Sequence, residues 1–242
     1  AATVATGVER AMIASTVRAG RRADRHRSMA HPLLTLTCLP LFPLGTVLFP
    51  GGQLPLRVFE VRYLDMIGRC HRAGAPFGVV ALAQGQEVRT PGAPRERLQP
   101  VGTLARITAL EQPQPGLLLI QCQGEQRFRI DQPHQLRHGL WVADVSLLPP
   151  DPVVTIPDDL QAAARTLRRA HDSLRRQPQA LSLPATDALD YDDCGWVANR
   201  WCELLPLPTT TRQHLMSLDS PLLRLELVAD MLSRSGIDGS RP

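Results

Sequence analysis

At 242 residues the chain is long enough for one or two domains with cores of their own, and 43% hydrophobic and 21% charged residues are ordinary globular proportions. The net charge of +4 does not describe a polyanion binder: six of the 27 basic and two of the 23 acidic residues lie in residues 1–28, which leaves 21 of each in the rest. Every basic residue is arginine, which excludes a Schiff-base lysine, a Walker lysine and a Ser–Lys dyad, and 4% aromatics leave few platforms for stacking bases.

Residues 1–32 are rich in Ala, Arg, Ser and Thr and include the run Arg21-Arg22-Ala23-Asp24-Arg25-His26-Arg27. They read as a disordered or artefactual extension, with an Arg-rich targeting leader as the alternative and Met29 as a candidate start. From Leu39 to Tyr63 apolar residues alternate with prolines and glycines, the pattern of short strands joined by tight turns. Proline has no N–H for a ladder, so Pro43, Pro50 and Pro55 are expected at edges, bulges or strand ends. Phe59, Tyr63, Ile67 and Cys70 then recur at helical spacing, and Gly74 and Pro76 stop that helix.

Phe77 to Leu82 reads as a strand, residues 84–99 as an exposed loop, Val101 to Leu110 as a strand and Pro113 to Gly116 as a turn. Leu117 to Gln123, Gln126 to Asp131 and Leu140 to Leu147 complete the β part, with Gly124 marking a hairpin or a bulge. The β domain is thus expected over 33–148 and a proline-rich linker over 149–157. Helices follow over 158–235: one from Asp158 with Leu160, Ala163, Ala164, Leu167 and Leu174 as its stripe, one capped by Asp192 or Asp193, one capped by Thr210, and one opening at Asp219-Ser220-Pro221. Residues 178–190 read as a polar loop, and 236–242 as a frayed tail.

The run LPLFPLGTVLFPGGQLPLRVFEVRYLDMI, from Leu39 to Ile67, resembles the start of the Lon N-terminal domain, the substrate-binding region of the Lon protease family that is also found in cereblon. Gly124-Glu125-Gln126-Arg127-Phe128-Arg129-Ile130 and Leu218-Asp219-Ser220-Pro221-Leu222-Leu223-Arg224-Leu225 resemble it too, so the likeness covers about 36–235. It implies an α+β fold, a small PUA-like β barrel with an inserted helix followed by a four-helix bundle. With no Walker motif and no lysine to activate a serine, the chain reads as a stand-alone form without the family's ATPase and peptidase domains, in which a peptidase label would be inherited and not carried by these residues.

The residues themselves offer no catalytic, cofactor-binding or metal site. There is no GxSxG and no GxxxxGK[ST]. His134 and His138 are four apart, but Pro133 and Gly139 flank them and no HExxH glutamate accompanies them. Cys38, Cys70, Cys122, Cys194 and Cys202 are odd in number and form no CxxC, which suggests buried free thiols in a reducing cytoplasm. No apolar run nears the ~20 residues of a membrane span.

What remains is binding of a polypeptide substrate or partner protein, in protein quality control, with a separate protease or chaperone as a possible recipient. An extended segment could add to a proline-marked edge strand, or an apolar surface could hold a misfolded client. Phe49, Phe59 and Tyr63 are the apolar candidates for that surface, with Glu60 and Arg62 as a polar rim on the first helical turn. The rival is RNA binding through Arg127, Phe128 and Arg129; strand alternation puts Phe128 on the face opposite the two arginines, which disfavours nucleic acid. The oligomeric state has no signature in the sequence.

Overall fold

The computed structural model describes residues 34–87, 96–176 and 190–237. The expected N-terminal extension, and those parts of the 84–99 loop, the 178–190 loop and the C-terminal tail beyond these bounds, lie outside the described residues. The chain divides into two compact units, one from Ala1–Leu48 and Leu54–Pro149 and the other from Phe49–Gln53 and Pro150–Pro242.

The first unit is a mixed sheet with one helix: β1 (Thr35–Leu44), β2 (Gln53–Val58), α1 (Val61–Ala73), β3 (Phe77–Gln84), β4 (Arg97–Leu98), β5 (Val101–Gln114), β6 (Leu117–Gln135) and β7 (Trp141–Leu147). The strand order is β1-β7-β6-β5-β3-β4, with β2 on β6. β1 also runs parallel to β3 while pairing antiparallel with β7, so the path of pairings returns to its first strand. Pro43 pairs with Val80 but lies beyond Leu41, the last β1 residue matched to β7, so it sits where β1 has one neighbour. A shift in the β1–β7 register between Leu36 and Leu39 holds Cys38 at φ 54, and the Asp144 carboxylate accepts its N–H at 2.9 Å.

β6 passes through Gly124 without a break, so the bulge forms and the hairpin does not. Thr103 pairs with Arg127 and Ala105 with Gly124, leaving one extra residue on β6. The extra residue breaks the alternation, and Arg127 and Phe128 are both buried. Gly78 and Gly102 make room for the Phe128 ring: a Cβ would stand 2.7 Å from it at Gly78 and 2.6 Å at Gly102.

Period-two alternation sorts the strand side chains into two cores. One gathers Leu39, Leu41, Val80, Leu104, Phe128, Trp141, Ala143 and Val145. The other gathers Phe42, Leu44, Val79, Ile120 and Val142 with Tyr63, Met66, Ile67 and Cys70 of α1. That apolar face is why α1 forms where it does, and Gly74 ends it in the left-handed conformation at φ 60.

The second unit contains α2 (Gln161–Arg175), α3 (Cys194–Leu204), α4 (Thr209–Ser217) and α5 (Pro221–Arg234), with a 3-10 turn at Asp158–Leu160 before α2. Asp193 caps α3 by accepting the Trp196 N–H at 2.7 Å, while its second oxygen accepts the Val154 N–H at 2.9 Å. Ser220 caps α5, with Pro221 in its first turn. Pro208, not Thr210, holds the cap position of α4, which has no side-chain cap. The segment expected as a linker is hydrogen-bonded: Cys194 donates to the Val154 carbonyl and Ile156 to that of Asp192. Arg224, buried, donates to Asp151, Asn199 and the carbonyls of Leu215 and Leu218.

Candidate polypeptide-binding surface

The five candidate residues separate by environment. Phe59 precedes the helix and is 55% exposed, whereas Tyr63, four residues on, is buried in the α1 core. The tyrosine ring stacks on Phe42 with centroids 4.1 Å apart. Helical spacing fails to predict Phe59 because α1 starts at Val61 and the residues before it are not helical. Phe49 is buried too and belongs to the second unit.

Arg62 is a buried anchor: its Nη1 donates to the Gly139 carbonyl at 2.7 Å, its guanidinium lies 4.6 Å from the Tyr63 ring centre, and its Nε donates to Glu60 at 3.1 Å. Glu60 is the N-cap residue of α1, yet its carboxylate is held by Arg62 and makes no cap hydrogen bond. The first turn is closed through the backbone instead: the Glu60 carbonyl accepts the Tyr63 and Leu64 N–H groups, each at 2.9 Å.

Sequence reasoning missed Val61, which is 75% exposed. Its signal was available: it lies two positions before Tyr63, roughly 200° around the helix from the buried stripe. Phe59 and Val61 thus flank Glu60 as two exposed apolar side chains next to a backbone fixed from below by Arg62 and Tyr63.

The rival strand is not a surface patch: Arg127 and Phe128 are buried, and Arg129 is the exposed member of the three. His134 and His138 are exposed, and no group of three or more His, Cys, Asp or Glu among the described residues could hold a metal ion. Burial pushes the thiols of Cys70 up to about 11 and of Cys122 and Cys202 up to about 12, so these cysteines are protonated and unreactive at neutral pH. No described helix is long and apolar enough to cross a membrane.

Residues 38–234 match the family model of the ATP-dependent protease La (LON) substrate-binding domain. A Lon protease of Anaeromyxobacter dehalogenans is 28% identical over 204 residues, 81% of this chain and 23% of that protein. Lon protease 2 of Myxococcus xanthus is 37% identical over 93 residues, 38% of this chain and 11% of that protein. The alignments thus span a quarter or less of these curated relatives. Among solved structures, a Lon N-terminal domain protein from Xanthomonas campestris is 33% identical with a TM-score of 0.63, covering 81% of this chain and 98% of that one. The N-terminal domain of the Mycobacterium avium complex Lon protease shares the fold at 17% identity and a TM-score of 0.52, over 81% of this chain and 97% of its own. The chain belongs to the family of the Lon protease substrate-binding domain.

Proposed function

We propose that the chain is a non-catalytic module that binds apolar segments of unfolded or degron-bearing polypeptide, with Phe59 and Val61 as the contact surface. The observation that carries this is their exposure, 55% and 75%, on either side of a tethered Glu60. Single exposed apolar residues are common, but a pair on either side of a tethered residue offers a client more apolar burial than either alone. Family membership supports the ligand class. In this reading the returning strand path is a PUA-like barrel, with α1 as its inserted helix and α2 to α5 as a small bundle. The activity belongs to cytoplasmic protein quality control, and the bound client passes to a separate protease or chaperone.

The test is a titration of a fluorescent, permanently unfolded protein with the full chain and with a Phe59→Ser/Val61→Ser variant, at two salt concentrations. Binding by the parent should survive added salt. The variant should bind about thirtyfold more weakly, the loss of roughly 2 kcal/mol of apolar burial, with its unfolding midpoint unchanged. Equal affinity of the two proteins would remove this surface. Binding of single-stranded RNA that falls steeply with salt would instead assign the function to phosphate contacts.

A further inference from the structure

A cleft of about 420 Å³ opens beside α2, lined by Gln161, Ala164, Arg165, Arg168, Arg169, Tyr191 and Asp192. The helix presents Arg165, Arg168 and Arg169 at spacings of three and four, so the three guanidiniums share one side while Ala163, Ala164, Leu167 and His171 face the core. None of the three forms an ion pair with a described carboxylate, unlike Arg62, Arg200 and Arg224. Grouping like charges at this spacing costs a few tenths of a kcal/mol per pair. An anionic ligand would relieve that cost.

The cleft wall is a cluster of packed rings. Arg168 lies 4.7 Å from the Tyr191 ring centre, the Tyr191 hydroxyl is 2.9 Å from His171 Nδ1, and Trp196 meets the Tyr191 ring edge-on at 5.0 Å. The ring attracts the guanidinium and leaves N–H groups to grip a carboxylate. Gln161 donates its Nε2 to the Ile156 carbonyl at 2.9 Å, so its Oε1 is the group left to accept a peptide N–H.

We infer that this cleft is a second subsite, for the acidic side chains of a bound polypeptide. The inference rests on the reading of the chain as a polypeptide binder. Three arginines against the single acid Asp192 give the lining a net positive charge that suits carboxylates. A nucleic acid fits less well: basic and acidic residues balance beyond residue 28, which provides no extended phosphate track, and Arg168 with Trp196 already occupies Tyr191, which leaves no free ring for a base.

The test is fluorescence anisotropy of a labelled twelve-residue peptide bearing four glutamates, against the same peptide with four glutamines, at low and physiological salt. The full chain should prefer the acidic peptide at least tenfold. Arg165→Glu/Arg169→Glu should abolish that preference, and the milder Arg165→Gln/Arg169→Gln should reduce it, with unfolding midpoints and binding of the glutamine peptide unchanged. Phe59→Ser/Val61→Ser should keep the preference, which separates failure of the apolar surface from failure of this one. Equal binding of the two peptides by the parent, or an unchanged preference in both arginine variants, overturns the subsite. So does single-stranded RNA or inorganic polyphosphate that binds more tightly than the acidic peptide and loses that binding in the same variants.

Discussion

Phe59 and Tyr63 carry similar rings four residues apart and end in opposite environments, because the helix starts between them. Tyr63 and Arg62 are buried and bonded within the fold, whereas Phe59 and Val61 are exposed, and in the proposed reading these two meet the ligand. These roles predict different mutational signatures. Arg62→Met leaves the Gly139 carbonyl and the Glu60 carboxylate without their buried cation and should lower stability by about 2–3 kcal/mol in chemical denaturation. Phe59→Ser should change stability by less than about 0.5 kcal/mol, since the side chain is more than half exposed. Arg62 also shows what one sequence could not disclose. An arginine on the first turn of an amphipathic helix reads as solvated, and its partner, Gly139, is 77 residues away.

At the level of elements, signals that act over a few residues were legible. Apolar spacing located α1, Gly74 marked its end and Gly116 the turn between β5 and β6, and aspartate and serine caps placed α3 and α5. What was not legible depends on partners distant in sequence. The bulge in β6 is defined by its register with β5 and turns Arg127 inward, which removes the arginine strand as an RNA surface. The stretch before α2 reads as a linker by composition, yet Asp193, 39 residues after Val154, accepts its N–H. Because Asp193 serves both Trp196 and Val154, Asp193→Ala should cost about 2–3 kcal/mol, more than the ~1 kcal/mol of an ordinary cap. Asp193→Asn, which keeps an acceptor for one of the two N–H groups, should recover about half of the loss when the midpoints are compared.

For the whole molecule, two groups in the helical unit, buried His171 and half-buried Glu203, titrate in opposite directions. Burial, with Arg175 and Arg200 nearby, holds His171 down to about 4 from 6.5, so the unfolded chain takes up a proton first and stability is lost as pH falls from 6.5 to 4. Burial pushes Glu203 up to about 7 from 4.5, against the opposing pull of Arg200 and Arg212, so the folded chain takes up its proton first and stability is gained as pH falls from 7 to 4.5. Each contribution is about 3 kcal/mol across its window, and the two offset each other in the wild type. Glu203→Gln should therefore lose about 2 kcal/mol more than wild type between pH 7 and pH 5, and His171→Phe should shift the other way by a similar amount. Parallel pH profiles for all three proteins would contradict this pairing. The family was legible in the sequence from the Leu39–Ile67 run, but the division of the candidate site into anchors and contacts was not, because it depends on which side chains the fold leaves uncovered. The most direct test of that division places a photocrosslinking residue at position 61, and in separate proteins at 63 and at the exposed position 134, and irradiates each with an unfolded client. The account predicts crosslinks from position 61 that excess unlabelled client suppresses, and none from 63 or 134. Equal crosslinking from 61 and 134 would show that α1 does not select the client.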